Sequence, residues 1–267
     1  MAIYDCFQYF NEDHMVDLRM NILNNYVDYF VISESTKTHQ GDSKKLNFKT
    51  ENFKKYQHKI IYLVADFKDN ENLLNHKGGE SHIEQHQRNN IANGLNKAHD
   101  NDLIILSDSD EVPDLDKINQ IKLKTKFTAF SQKMFMYKLN LQNLNESNWI
   151  GSKICKKKDF PLPQKLRDLK FKDYPVWRID KKKLQIIDGG WHFSFLQSPE
   201  DIAKKIKSYS HGEFNTKENI NIEKINQKIN NNSDIFNRGF KLKKINIDGT
   251  FPEYIIKNKE LLKDWII

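Results

Sequence analysis

Apolar and polar positions alternate along the first 110 residues in two periods. Residues 2–7 form an apolar, β-prone run, and Met15, Leu18, Ile22 and Leu23 then recur at helical spacing. Residues 29–33 and 59–64 are short runs rich in β-branched and aromatic side chains. Residues 81–98 carry Ile83, Ile91 and Leu95 on one helical side, and 103–107 is a fourth apolar run. Strands and helices in strict alternation predict parallel pairing through right-handed crossovers: an α/β fold with a Rossmann-like, nucleotide-binding first half.

The second half has another rhythm and predicts a mixed β section. Residues 127–139 are long, β-rich and aromatic, 176–179 and 184–187 flank 180–183 as a hairpin would, and 191–196 is a further apolar segment. Ser198 as a cap, Pro199 at the first helical position and Glu200 and Asp201 in the first turn open a helix. Residues 215–232 are Asn-rich and weakly patterned, which predicts a mobile loop with a helical piece, and 258–265 predict a closing helix. With no internal repeat and no flexible linker, 1–267 is expected to be one domain, divided into halves 1–113 and 114–267.

Composition narrows the classes. At 38% hydrophobic and 30% charged residues, with no run near the roughly 20 apolar residues of a membrane span, a soluble chain is expected. The N-terminus reaches Asp5 without a basic leader, so no signal peptide is expected, and Cys6 and Cys155 are too few for a disulfide framework. The expected location is cytoplasmic. Net charge is +7, and residues 153–183 alone hold twelve Lys/Arg against four Asp. That stretch could hold a diphosphate or touch an acidic membrane surface, although a solvated lysine face is the plainer reading. No nucleic-acid module accompanies it, so nucleic acid is not expected as a partner.

The chemistry concentrates in residues 103–113, LIILSDSDEVP, where an apolar strand runs into Asp108-Ser109-Asp110-Glu111. Open α/β sheets bind ligands at such carboxyl ends. Two carboxylates one residue apart can share a hard divalent cation, leaving ligand positions for substrate phosphates. A solvated acidic turn is the simpler alternative. The same letters fit a haloacid-dehalogenase-like phosphatase with Asp108 as nucleophile, but three strand–helix units precede the motif here. A non-catalytic glycan- or nucleic-acid-binding domain is the third reading.

Five segments favour a transferase: YDCFQYFNE near the start, YFVISES followed by HQGDSKKLNF, then SDSDEVP, DGGWHFSF and FPEYIIKN. In kind and order they resemble glycosyltransferase family 17, the family of the bisecting N-acetylglucosaminyltransferase. The resemblance implies a GT-A fold, a UDP-sugar donor (UDP-N-acetylglucosamine in the best-known members), Mn²⁺ or Mg²⁺, and inversion at the anomeric carbon. It also implies that Asp108 and Asp110 hold the metal with His192, and that Glu34, Arg88, Asp108 and Trp191 contact the nucleotide sugar. Asp188 is the first candidate for the general base, with Glu111 and Glu213 as rivals, and His192 joins the catalytic set. The acceptor is expected to be a glycan, glycolipid or glycoprotein. Animal members carry a membrane anchor that this Lys- and Asn-rich sequence lacks, which suggests a bacterial or viral origin.

Overall fold

A computed structural model describes residues 1–67, 82–122, 125–146, 148–171, 184–208 and 212–267. The parallel half forms as its pattern predicts. Strands β1 (Ile3–Tyr9), β2 (Tyr29–Ser35), β3 (Ile60–Ala65) and β4 (Leu103–Ser107) stand in the order β3-β2-β1-β4, all parallel. Side chains alternate across the sheet. Phe7, Phe30, Ile32 and Ile105 pack with Met15, Val16, Leu18 and Met20 of helix α1 (Asp13–Leu23). Cys6, Val31, Ile104 and Leu106 point the other way, onto Ile91, Leu95 and Leu166. Both faces are thus covered, which is why these strands are apolar throughout and do not alternate.

Beyond β4 the sheet turns antiparallel. Strand β5 (Glu111–Pro113) lies across β9 (Leu184–Ser194), and β6 (Phe127–Met136), β7 (Leu141–Asn143), β8 (Trp149–Lys156) and β10 (Leu242–Lys244) extend one ten-stranded sheet in the order β10-β7-β6-β8-β4. The segments 184–187 and 191–196, expected as separate elements, are largely one strand that runs parallel to β6 with a register shift. Residues 172–183, including the first strand and turn of the expected hairpin, lie outside the described residues, as does Ser81. Gly190 has φ +114°, and a Cβ there would stand 2.6 Å from the Val112 carbonyl. The glycine serves the close approach of β5 to β9 and not that of a ligand.

Helix α2 (His82–Asn90) follows the prediction, continued by a 3₁₀ turn over Ile91–Leu95. Helix α3 (Pro163–Arg167) starts on its proline, and α4 (Pro199–Ser208) is capped as read, the Asp201 N–H donating to Ser198 Oγ at 3.2 Å. Helix α5 (Ile222–Asn230) is the helical piece of the Asn-rich stretch, its first turn capped by the side chain of Asn221. The closing helix comes earlier than expected: α6 (Glu253–Lys257) starts after Pro252, and only a 3₁₀ turn, Lys263–Trp265, follows. Pro252 fixes the start because its ring presets a helix-entry geometry.

Lys153, the first residue of the basic stretch, is buried and donates to the carbonyls of Arg167 and Leu169, fastening the end of α3. Burial, reinforced by Arg167, pushes its ammonium down from 10.5 to about 8. The unfolded chain holds that proton up to about pH 10.5, so the protein gains stability as pH rises from about 8 to 10.5, by at most about 3 kcal/mol. Lys153→Met should lose this component of the slope, as read by urea denaturation across that window.

Candidate active site

The carboxyl ends of β1, β2 and β4 open on one cavity of about 340 Å³, where such sheets bind ligands. Its floor is the Asp108–Glu111 turn, and one buried arginine holds the turn in shape. Arg19 of α1 grips Asp5 of β1 through two bonds of 2.7 and 2.6 Å. Its remaining nitrogen donates to the carbonyls of Asp108 (3.3 Å), Ser109 (3.4 Å) and Glu111. Both members of the pair are fully buried.

Glu111 is likewise fully buried and works on the turn from inside. It accepts from the Asp108 N–H at 3.0 Å, from Trp149 Nε1 at 2.7 Å and from Arg167 through both oxygens at 3.0 Å. The same Arg167 reaches Asp108 at 2.6 Å, and Arg88 stands 3.6 Å from Asp108. Burial pushes the Asp108 carboxyl up against the pull of Arg167. Asp110 lies between an imidazole and an ammonium: His192 Nε2 is 3.5 Å from one oxygen and Lys205 Nζ 3.5 Å from the other. Burial opposes its charge, yet Lys205 and His192 prevail and hold it well below the usual carboxylate range. Burial works to lower His192, but the Asp110 carboxylate outweighs it and holds the imidazole above its ordinary value. Lys37 and Lys44 add charge to the wall, and Trp149 packs on His192 at 4.8 Å between rings.

The sequence profile of glycosyltransferase family 17 matches residues 1–239 of this chain. The chain belongs to glycosyltransferase family 17. No curated protein matches it. Among solved structures it is similar to HddC from Yersinia pseudotuberculosis, at 13% identity and a TM-score of 0.34, covering 72% of this chain and 89% of that one. It is also similar to the 2-C-methyl-D-erythritol 4-phosphate cytidylyltransferase of Francisella tularensis, at 7% identity and a TM-score of 0.36 over 71% and 91%. A third is a glycosyltransferase involved in glycosylation of the major capsid of PBCV-1, at 10% identity and a TM-score of 0.32 over 70% and 82%. The family membership makes this chain a glycosyltransferase with an α/β, GT-A-like sheet, and it displaces the phosphatase and binding-domain readings. Among the described residues no helix is long and apolar enough to cross a membrane.

In the transferase, Arg88, Asp108, Asp110 and His192 come together on the cavity wall, while Glu34, Glu111, Trp191 and Asp188 do not line it. Register explains the split at the DGGWH segment: His192 pairs with Glu111 and Trp191 with Val112, so neighbours on β9 face opposite sides. Trp191 therefore joins the core, its indole N–H donating to the Thr250 carbonyl at 3.1 Å, where a contact to the nucleotide sugar was expected. Asp188 is exposed on β9, its carbonyl accepting from Lys117, and Glu213 lies in an exposed 3₁₀ turn. Glu111 is consumed by its donors, which fits a positioning carboxylate and not an acceptor-facing base.

Glu34, the expected nucleotide contact, is fully buried and holds the loop that follows β2. Its carboxylate accepts from Lys44, from the Asn47 and Phe48 N–H groups at 2.8 and 3.0 Å, and from Tyr62 at 2.8 Å. That loop carries Lys37, His39 and Lys44 to the wall. Glu34→Ala should cost about 3 kcal/mol and expose 36–48 to protease, as read by thermal melting and limited proteolysis.

A hard divalent ion takes a few protein ligands and completes its shell with phosphate oxygens and water. Asp110 and His192 offer two such donors at the wall. Among the described residues no group of three or more His, Cys, Asp or Glu converges. The pair thus fits an ion completed by substrate, not a closed protein cage. Asp108, expected as a third ligand, faces guanidinium groups instead. Lys205, Arg167, Arg19 and Trp149 escaped the sequence reading, since each reaches the site from an element far along the chain.

Proposed function

We propose that this transferase moves a sugar, N-acetylglucosamine in our reading, from a UDP-sugar to a hydroxyl of a glycan, with inversion at the anomeric carbon. The observation that carries the proposal is the wall itself: Asp108 and Asp110 stand among Arg88, Arg167, His192 and Lys205 at the carboxyl edge of a parallel sheet. A departing nucleoside diphosphate gathers negative charge, and the guanidinium groups of Arg88 and Arg167, pinned beforehand by carboxylates, lower the barrier without reorganising. When bound at Asp110 and His192, Mn²⁺ or Mg²⁺ would supply Lewis-acid neutralisation of that charge. Arg167, oriented by Glu111, keeps Asp108 in place, and Arg19 fixes the backbone on which both aspartates ride. The acceptor hydroxyl must lose a proton to a carboxylate or imidazole that reaches the cavity.

The acceptor is a glycan, glycolipid or glycoprotein in this reading, and among the described residues of the basic stretch the exposed Lys158 and Lys165 offer charge to an acidic membrane. Lys153 and Arg167 are not part of that surface, the lysine being buried and the arginine facing the cavity. The test is a thermal-shift panel of UDP, GDP and dTDP, each with and without Mn²⁺. A ligand at a hundredfold excess over its Kd stabilises the native state by about 2.7 kcal/mol. The largest shift is expected for UDP with Mn²⁺; no shift with any nucleoside diphosphate would refute the donor assignment.

A further inference from the structure

Lys205 has no place in the sequence motifs, yet it stands at the centre of the wall. Its ammonium lies 3.5 Å from Asp110 Oδ2 and 3.4 Å from Glu12 Oε1, with the Phe195 ring centred 5.7 Å away. Glu12 is a fixed support, because its other oxygen accepts from the Phe10 and Asn11 N–H groups at 3.0 and 3.1 Å. Helix α4 is fixed too, through buried Ile202, Ala203 and Ile206. The lysine stem is the flexible part, and its side chain keeps 22% exposure toward the cavity. His192 takes the other oxygen of Asp110, so both lone-pair edges of this carboxylate already face a cationic or donor group.

A divalent ion and an ammonium that share one carboxylate repel each other, and further negative charge relieves that repulsion. The donor brings that charge as its diphosphate. We propose that Lys205 is an exchangeable counter-ion: it neutralises Asp110 while the donor site holds no nucleotide and turns to the diphosphate when the donor enters. That turn opens Asp110 to the divalent ion. The proposal rests on the donor reading above, and makes cation and nucleotide binding mutually dependent. By linkage each strengthens the other by one common factor.

The test measures Mn²⁺ binding through the electron paramagnetic resonance signal of the free ion, with and without UDP. It uses the wild-type chain, Lys205→Met, Lys205→Gln and the conservative Lys205→Arg, each checked for folding by its melt. In the wild type, UDP should strengthen Mn²⁺ binding at least about tenfold. The Met and Gln variants should bind Mn²⁺ alone at least about tenfold more tightly than the wild type, with most of the dependence on UDP gone, whereas Lys205→Arg should retain it. If either folded variant binds Mn²⁺ alone no more tightly than the wild type, while the wild type binds UDP with Mn²⁺, the counter-ion role is overturned and the donor reading stands. Equal Mn²⁺ affinity in the wild type with and without UDP overturns it without recourse to a variant. A wild type that binds no UDP at all removes the donor reading, and the proposal with it.

Discussion

Asp110→Asn is expected to cut kcat/KM for sugar transfer by about a thousandfold, roughly 4 kcal/mol of transition-state stabilisation. The substitution keeps the shape of the side chain and removes its charge. Lys205 then keeps Glu12 and the Phe195 ring but loses Asp110, and His192 loses the carboxylate that raises its pKa. The effect should fall on kcat as well as on KM, because charge compensation matters most as the diphosphate leaves. Some stability goes as well. A carboxylate held below its usual pKa contributes stability above its unfolded pKa of roughly 4, lost as pH falls through the folded value, so the variant will melt lower at neutral pH. Circular dichroism should show the fold retained. Nucleotide release measured against donor concentration separates kcat from KM, and a loss under about tenfold would remove Asp110 from the catalytic account.

Arg19→Met is expected to be the most destabilising single change near the site, costing about 3–5 kcal/mol and lowering Tm by roughly 10 °C. Asp5 and Arg19 are each fully buried, so the variant leaves Asp5 as a buried charge without its bidentate partner. Three carbonyls of the Asp108–Glu111 turn lose the guanidinium at the same time, those of Asp108 and Glu111 keeping the Glu111 N–H and the Ser152 hydroxyl. The paired change Asp5→Leu with Arg19→Met should recover much of the stability, since an apolar pair avoids desolvating two charges. It should not recover activity, because the turn still lacks the guanidinium that ties its carbonyls together. Urea denaturation with parallel kinetics checks both halves; a double variant that is stable and fully active would show that Arg19 serves stability alone.

The parallel half was legible because both faces of its strands are buried, and buried strands write themselves as apolar runs at regular intervals. The acidic turn was legible for a related reason: an apolar strand that ends in carboxylates marks a sheet edge open to ligand. What the sequence does not carry is which long-range neighbour reaches that edge. Arg19 reads as one polar position on the apolar face of a helix, and only the register of β1 against β4 brings it below the turn. Lys205 lies beside the buried stripe Ile202, Ala203 and Ile206, and nothing local says that α4 crosses Asp110. Arg167 was submerged in a basic stretch whose bulk charge suggested a surface.

The DGGWH segment shows the converse. The resemblance put both Trp191 and His192 at the site, but period-two alternation on β9 assigns His192 to the cavity and gives Trp191 to the core. Glu34 is expected from the resemblance to contact the nucleotide sugar. Being buried, it had to find donors, and the loop after β2 supplies them.

The most direct test follows the anomeric proton by NMR while the enzyme is supplied with UDP-N-acetylglucosamine, Mn²⁺ and a panel of glycan acceptors. The account predicts release of UDP together with a new β-anomeric signal derived from the α-linked donor, absent with Asp110→Asn. Retention of the α configuration, or a panel of UDP-sugars that yields no transfer while a chromogenic phosphate ester is hydrolysed, would contradict it.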